Sequence, residues 1–416
     1  MFIVSGGNKL QGSVRLSGAK NSVLPILAAS LLNRGESLIE NCPDLSDVQA
    51  SMEILCHLGC VVKKDGKTIY IDSRPMNRCD IPDELMRKMR SSVIFLGPIL
   101  ARTGCVDMCM PGGCELGSRP IDLHLAAMRK MGANVDDSGG AVKCSSLKLR
   151  GAEINLSFPS VGATENTMLA ACLAEGDTVI TNAACEPEIE DLQNYLCAMG
   201  AKVYGAGTST VVIKGNYELH DAVHSVVPDR IVAATYMSAV CSAGGCVTIE
   251  NAVPAHLKAI TEVLSAAGCV IKEMPLGIVI ESYNRPKAVP HIRTAPYPGF
   301  PTDAQAPVMA ALLKAEGASV FVETIFENRY RHVGELMRMG ADIRTEGRAA
   351  VVFGVENLGG AVMECTDLRG GAALVVAALG AEGESRICEL KHIDRGYDSL
   401  EKDLKNMGAA IKRVEI

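Results

Sequence analysis

Tryptophan is absent from the 416 residues, and aromatic residues together make up only 4% of the chain. So few rings argue against stacking platforms for single-stranded nucleic acid. Positive charge is not in excess either: Lys+Arg 41 stand against Asp+Glu 48, a net charge of −7. That balance excludes a general nucleic-acid or anionic-membrane binder, but it permits an anionic small molecule held by a few local Lys and Arg. No apolar run approaches the ~18 residues of a membrane span. The opening MFIVSGGNKLQGSVRLSGAKN shows no apolar core of a secretory signal. Cysteine is plentiful, at 16, yet lacks any framework. There is no C-x-x-C pair, and the densest run, Cys105, Cys109 and Cys114, fits no common zinc spacing. These absences predict a reduced, cytoplasmic, soluble protein that binds no metal. Cys56, Cys172, Cys197 and Cys241 fall in apolar helical stretches, where free cysteine is expected as a small buried hydrophobe.

The chain is 48% apolar and 21% charged, an ordinary globular balance, and its length suggests roughly two to three domains. Gly 40 is about a tenth of the residues, which predicts many tight turns. Six glycines recur in one context, a helix end followed by a β-rich segment: Gly59, Gly132, Gly200, Gly268, Gly340 and Gly408, in HLGCVV, KMGANV, AMGAKV, AAGCVI, RMGADI and NMGAAI. Their intervals are 73, 68, 68, 72 and 68 residues. Each fits the residue after a helix, where left-handed geometry disfavours a side chain. A second marker precedes each by about 24 residues, reading LLNRGES, LARTGCV, LAEGDTV, SAGGCVT, KAEGASV and GAEGESR. A unit of about 70 residues is long for a solenoid repeat and small for an independent domain, so the six should gather in two groups of three. Helices such as TENTMLAACLA and RGGAALVVAALG are apolar on nearly every face, which predicts that they are buried with sheets packed around them.

Several short segments carry candidate chemistry. Lys20 and Asn21 stand at the mouth of a helix after a Ser-Gly turn, either an anion site or a solvated Lys at a loop edge. In PDELMRKMRSS, Arg87 and Lys88 read as a solvated face. The stretch PGGCELGSRP combines three glycines, one thiol and one guanidinium, the composition of a mobile lid. A cation such as Arg119 beside Cys114 would favour the thiolate. Ser160, Val161 and Gly162 precede a helix and read equally as an anion nest or as a plain N-cap. Asp303, in FPTDAQAP, reads by itself as an N-cap. Arg369 and Arg395 follow Asp367 and Asp394, so either they form local ion pairs or, with Arg329, they converge on a doubly anionic substrate. Glu186 and Asp229-Arg230, near the midpoint, are candidates for hinge and closure contacts.

The motifs SGAKNSVLPILAASLL, PGGCELGSRPIDLH, SVGATENTMLAACLAEG, PTDAQAP, FENRYRHVGELMRMGA, TDLRGGAALVVAAL and HIDRGYDSLEKDL resemble those of the enolpyruvyl transferases, in order and over nearly the whole chain. The PGGC loop resembles the branch that acts on UDP-N-acetylglucosamine rather than the sister branch that acts on shikimate 3-phosphate. The resemblance implies an α/β (α+β) inside-out barrel with two similar domains, each of three βαβαββ units. It places one domain at 20–228, the other at 1–19 plus 229–416, and the active site in the cleft between them. It implies transfer of the enolpyruvyl group of phosphoenolpyruvate to the 3-hydroxyl of UDP-N-acetylglucosamine with release of phosphate, the first committed step of peptidoglycan synthesis. Both partners are small molecules, and no cofactor, metal, nucleic acid or membrane is implied.

Residue by residue, the resemblance makes Cys114 the proton donor, Asp303 the base for the sugar hydroxyl, and Lys20 and Arg395 part of the catalytic set. Lys20, Asn21, Arg119, Arg369 and Arg395 are implied to hold phosphoenolpyruvate. Asn21, Arg90, Arg119, Pro120, Ile121, Asp122, Leu123, Ser160, Val161, Gly162, Asp303, Ile325, Glu327 and Arg329 are implied to line the UDP-sugar pocket. A non-catalytic UDP-sugar sensor on the same scaffold is the rival from another class. It gives no reason for Lys20, Cys114, Asp303 and Arg395 to occur together.

Overall fold

A computed structural model of the chain describes residues 1–110 and 121–415. All six repeat glycines lie in the left-handed region, with φ from 83° at Gly408 to 100° at Gly59 and Gly268. There an added Cβ would crowd the backbone, so glycine lets each helix stop and turn directly into a strand.

Among the described residues the strands form six four-stranded sheets. In the second repeat, for example, the order is Asp80–Ile81, Cys105–Cys109, Ala141–Ser145, Asn134–Asp136. The first pair is parallel and the other two are antiparallel. Helices cross between the parallel strands and again before the hairpin, which makes a βαβαββ unit. The same pattern recurs in the sheet Ile292–Arg293, Ala318–Val322, Ala349–Phe353, Asp342–Glu346.

The described residues divide into two compact units, one made of residues 18–110 and 121–227 and one combining Met1–Ser17 with residues 228–415. The described part of the first follows a single region of the sequence, whereas the second is split between the two ends. The split unit draws on the start of the chain for two of its sheets. Leu10–Arg15 runs parallel to Gly245–Glu250. Phe2–Ser5 inserts between Glu384–Cys388 and Ala410–Arg413, antiparallel to both.

In the split unit the helices Arg230–Ala243, Thr302–Ala311 and Leu368–Gly380 pack against one another. From Arg369 to Gly380 every residue of the last one is buried. Small residues permit this: a Cβ on Gly380 would lie 2.3 Å from Ser242 Oγ. The sheets have one buried and one exposed face, so they cover the helices from outside. This inside-out layering is what the all-round apolar helices require.

The cysteines are less buried than the sequence suggests. Among the described residues Cys172 and Cys241 are buried, but Cys56 and Cys197 are exposed. The helices Ser46–His57 and Pro187–Ala198 turn Ile54, Leu55, Leu192 and Leu196 inward, which leaves Cys56 and Cys197 on the outer face. No described helix is long and apolar enough to cross a membrane.

Candidate functional site

In the split unit the structure joins Asp303, Arg329 and Arg369. Helix Thr302–Ala311 follows Pro301 and has no side-chain cap, so Asp303 sits in its first turn and is not the N-cap. Its Oδ1 accepts from Arg329 Nη2 at 3.0 Å, and its Oδ2 accepts from Arg369 Nε and Nη2 at 3.2 Å. Arg329 Nη2 also donates to the Thr302 carbonyl at 3.0 Å. The Arg329 and Arg369 side chains are 3% and 2% exposed, whereas that of Asp303 is 27% exposed. The carboxylate is therefore the accessible tip of a buried cationic cluster. Burial works against the charge of Arg369, but Tyr397, Asp303 and Asp229 outweigh it and push the guanidinium further above its ordinary value. The Tyr397 ring lies 5.3 Å from the Arg369 guanidinium carbon.

The local ion-pair reading of Arg369 fails, since its guanidinium pairs with Asp303. Asp367 caps its helix, accepting from the backbone N–H of Arg369 and Gly370. Asp394 pairs with Arg413. Arg395 ends a short 3-10 helix, Leu390–Arg395, and is half-buried. Arg329 Nε and Arg369 Nη1 are buried without a hydrogen-bond partner among the described residues, as are both ring nitrogens of His332. Burial pushes His332 down to about 4, so its ring is neutral. Buried polar groups are normally satisfied, so each of these orphans asks for an explanation.

Glu323, which sequence reasoning missed, holds the frame around this cluster. It is 1% exposed. Its carboxylate accepts from Thr302 Oγ1 at 2.9 Å, Thr294 Oγ1 at 3.1 Å, and the backbone N–H of Ile325 and Phe326 at 2.8 and 3.1 Å. One buried side chain thus ties the residue before Asp303 to the backbone at Ile325. Glu327 is exposed, accepts from Arg348 at 3.3 Å, and lines an open pocket with Asn328, Tyr330, Arg331, Thr345 and Gly347.

In the continuous unit Lys20 is not a solvated loop residue. It opens helix Lys20–Ala29, is 9% exposed, and its Nζ lies 2.8 Å from Asp47 Oδ2, itself 1% exposed. Asn21 beside it is exposed. Ser160 is the N-cap of helix Val161–Ala171, accepting from Ala163 N–H at 3.3 Å, so the capping reading holds there. Gly162 faces a ring: a Cβ added to it would lie 3.1 Å from His124 Cε1. Ile121 precedes helix Asp122–Lys130, with Asp122 and Leu123 in its first turn, and Arg90 opens the 3-10 helix Arg90–Phe95. Cys114, Arg119 and Pro120 lie outside the described residues. Of the hinge candidates, Asp229 caps helix Arg230–Ala243 and Arg230 lies over the Tyr297 ring at 5.6 Å. Glu186 stands at the N-cap of helix Pro187–Ala198.

Three of these segments meet at Asn166, which is fully buried. Its Nδ2 donates to the Val93 carbonyl at 2.8 Å and lies 2.8 Å from His124 Nδ1, while its Oδ1 accepts from Gly97 N–H at 2.8 Å. Because Nδ2 is a donor, His124 Nδ1 is the acceptor and its proton sits on Nε2. Burial pushes His124 down to about 4, which keeps this neutral tautomer. A polar residue inside the apolar run TENTMLAA was the available signal. Asn166→Leu should lower stability by about 3 kcal/mol, because it strands the Gly97 N–H, the Val93 carbonyl and His124. Denaturant unfolding measures this, and an unchanged midpoint would show that Asn166 holds nothing together.

The family model for EPSP synthase (3-phosphoshikimate 1-carboxyvinyltransferase) matches residues 4–404. UDP-N-acetylglucosamine 1-carboxyvinyltransferase 2 of Caldanaerobacter subterraneus subsp. tengcongensis is 52% identical over 413 residues, 99% of each chain. UDP-N-acetylglucosamine 1-carboxyvinyltransferase 1 of Symbiobacterium thermophilum is 48% identical over 99% of this chain and 95% of its own. Among solved structures, the enolpyruvyl transferase NikO from Streptomyces tendae has a TM-score of 0.88 at 25% identity, covering 99% of this chain and 98% of its own. An EPSP synthase from Acinetobacter baumannii, at TM-score 0.75, 18% identity and 99% of both chains, is a likeness of fold alone. With the family match running almost end to end and relatives near half identity over the full length, the chain belongs to the EPSP synthase family of enolpyruvyl transferases.

Proposed function

We infer that the chain transfers the enolpyruvyl group of phosphoenolpyruvate to the 3-hydroxyl of UDP-N-acetylglucosamine and releases phosphate, a cytoplasmic step toward peptidoglycan. The observation that carries this reading is the 52% identity, over 99% of both chains, to a relative named for that reaction. The geometry supports it. Asp303, with both oxygens fixed by Arg329 and Arg369, is the base that takes the sugar hydroxyl proton. The hydroxyl oxygen adds to C2 of phosphoenolpyruvate while C3 receives a proton from Cys114. The tetrahedral adduct then loses a proton from that methyl carbon and expels phosphate, restoring the double bond. Lys20, Arg119, Arg369 and Arg395 bind the phosphate and carboxylate and stabilise the charge that develops. The unpartnered Arg369 Nη1 is one donor for such an anion. Ser160, Val161 and Gly162, with Arg90, Pro120, Ile121, Asp122 and Leu123, hold the nucleotide, and Ile325 and Glu327 the sugar side.

Phosphate release tests the reading. Mixing the protein with phosphoenolpyruvate and UDP-N-acetylglucosamine should liberate phosphate, and shikimate 3-phosphate as the acceptor should not. Release with shikimate 3-phosphate alone would assign the chain to the sister reaction. Release with neither acceptor would favour a UDP-sugar sensor.

A further inference from the structure

Two cysteines outside the groups described above touch one another. Cys79 immediately precedes the strand Asp80–Ile81, and Cys105 opens the parallel neighbour Cys105–Cys109. The Asp107 N–H donates to the Cys79 carbonyl at 3.0 Å, so the strands are already paired at this point. Across that pairing the Cys105 thiol donates to Cys79 Sγ at 2.7 Å. A disulfide spans about 2.05 Å, so closing the bond asks for only ~0.7 Å of approach. Both residues are half-buried, within reach of a small oxidant. Cys241 and Cys269 also hydrogen-bond to each other, but at 1% and 6% exposure they are closed to solvent.

We propose that Cys79 and Cys105 form a reversible intrachain disulfide when the protein meets a hydroperoxide. Burial and then Cys105, with Asp80 and Asp107 behind, hold the Cys79 thiol up at about 11, so it stays protonated at neutral pH. We assign the first attack to its neighbour Cys105, which opens the adjacent strand. Its thiolate sulfur takes one peroxide oxygen, the O–O bond breaks, and the second oxygen leaves as hydroxide, giving a sulfenic acid. Cys79 sulfur then attacks the Cys105 sulfur and displaces the second hydroxide. The Cys79 proton and the original Cys105 proton complete two waters. Both thiols are oxidised together by two electrons and the peroxide is reduced; dithiothreitol reverses the change. The site has a position of consequence. The strand after Cys79 leads through helix Asp83–Lys88 to Arg90, and Cys105 opens the neighbouring strand of the same sheet. A bond here fastens the two strands to each other. Disulfides in reducing compartments are rare and mostly transient or redox-sensing, which suits a half-buried pair better than a structural staple.

The experiment treats the folded protein with hydrogen peroxide, blocks remaining thiols by alkylation, and maps cross-linked peptides by tandem mass spectrometry. The expected product is one predominant link, Cys79 to Cys105, lighter by two hydrogens and lost on treatment with dithiothreitol. Cys79→Ser and Cys105→Ser should each abolish it, and neither should change phosphate release in untreated protein. No link between these two, or links scattered over several cysteines at similar yield, would overturn the proposal. None of these outcomes depends on which acceptor the enzyme uses.

Discussion

Asp303→Asn is expected to lower kcat by about 10²–10⁴-fold, the usual contribution of a positioned general base. The amide keeps an acceptor oxygen toward Arg329 or Arg369 but cannot act as the base that the proposed function assigns to Asp303. Binding of the UDP-sugar should weaken far less, so the loss should fall on kcat rather than KM. Asp303→Ala separates a second effect. It removes the anion from two guanidinium groups that are 3% and 2% exposed. Breaking a buried ion pair by removing one partner costs about 3–5 kcal/mol. The 27% exposure of Asp303 places the expected loss near the lower end, about 3 kcal/mol. Steady-state kinetics and urea unfolding of both variants, side by side, distinguish the roles. If Asp303→Asn turns over at the parental rate, Asp303 is a structural counterion and some other group is the base.

The helix ends were legible because their requirement is local. A glycine at a left-handed position followed by β-rich residues names its own geometry, and Gly59 through Gly408 adopt it in six places. The buried helices were legible for a similar reason, since an all-round apolar helix has few alternatives. What the sequence concealed is long-range. One of the two readings of Arg369 made it a partner for Asp367, two residues away, but it reaches Asp303, 66 residues away. Asp367 was already committed to two backbone N–H groups at its own helix start, as a residue of its type often is. The solvated reading of Lys20 stayed open in the sequence because Asp47, which pairs with it, stands in the first turn of a different helix. Glu323 carried no local signal. Its value lies in reaching two threonines and two backbone amides that only the fold assembles. Asn166 was half-legible, since a polar residue in an apolar helix demands a partner, but nothing in the sequence says which.

Cys114 is expected to be the thiol that a small anionic epoxide such as fosfomycin alkylates, and the reaction should be faster with UDP-N-acetylglucosamine bound. Several of the other thiols are poorly placed to compete. Thiolate is the nucleophile. Burial pushes Cys42, Cys60, Cys172 and Cys365 up to about 12, from an ordinary value of 9.0. Three pH units mean ~10³-fold less thiolate at neutral pH, before any loss of access is counted. Cys56 and Cys197 are exposed, but burial of part of its side chain still raises the Cys56 thiol above its ordinary value, and exposure alone does not concentrate an anionic epoxide. Under the proposed function Cys114 has Arg119, Lys20 and Arg395 for that purpose, and the same groups that hold phosphoenolpyruvate hold its anionic mimic. Cys114→Asp should retain turnover, because a carboxyl group can still deliver a proton to C3, yet it should resist alkylation. Cys114→Ser should lose most turnover, since an alcohol is a far weaker acid. Mass mapping after brief exposure decides the matter. Label confined to the peptide containing Cys114, and absent from Cys114→Asp, is the expected result. Label spread over Cys56, Cys197 and others, or a Cys114→Ser variant with undiminished turnover, would remove Cys114 from the chemistry.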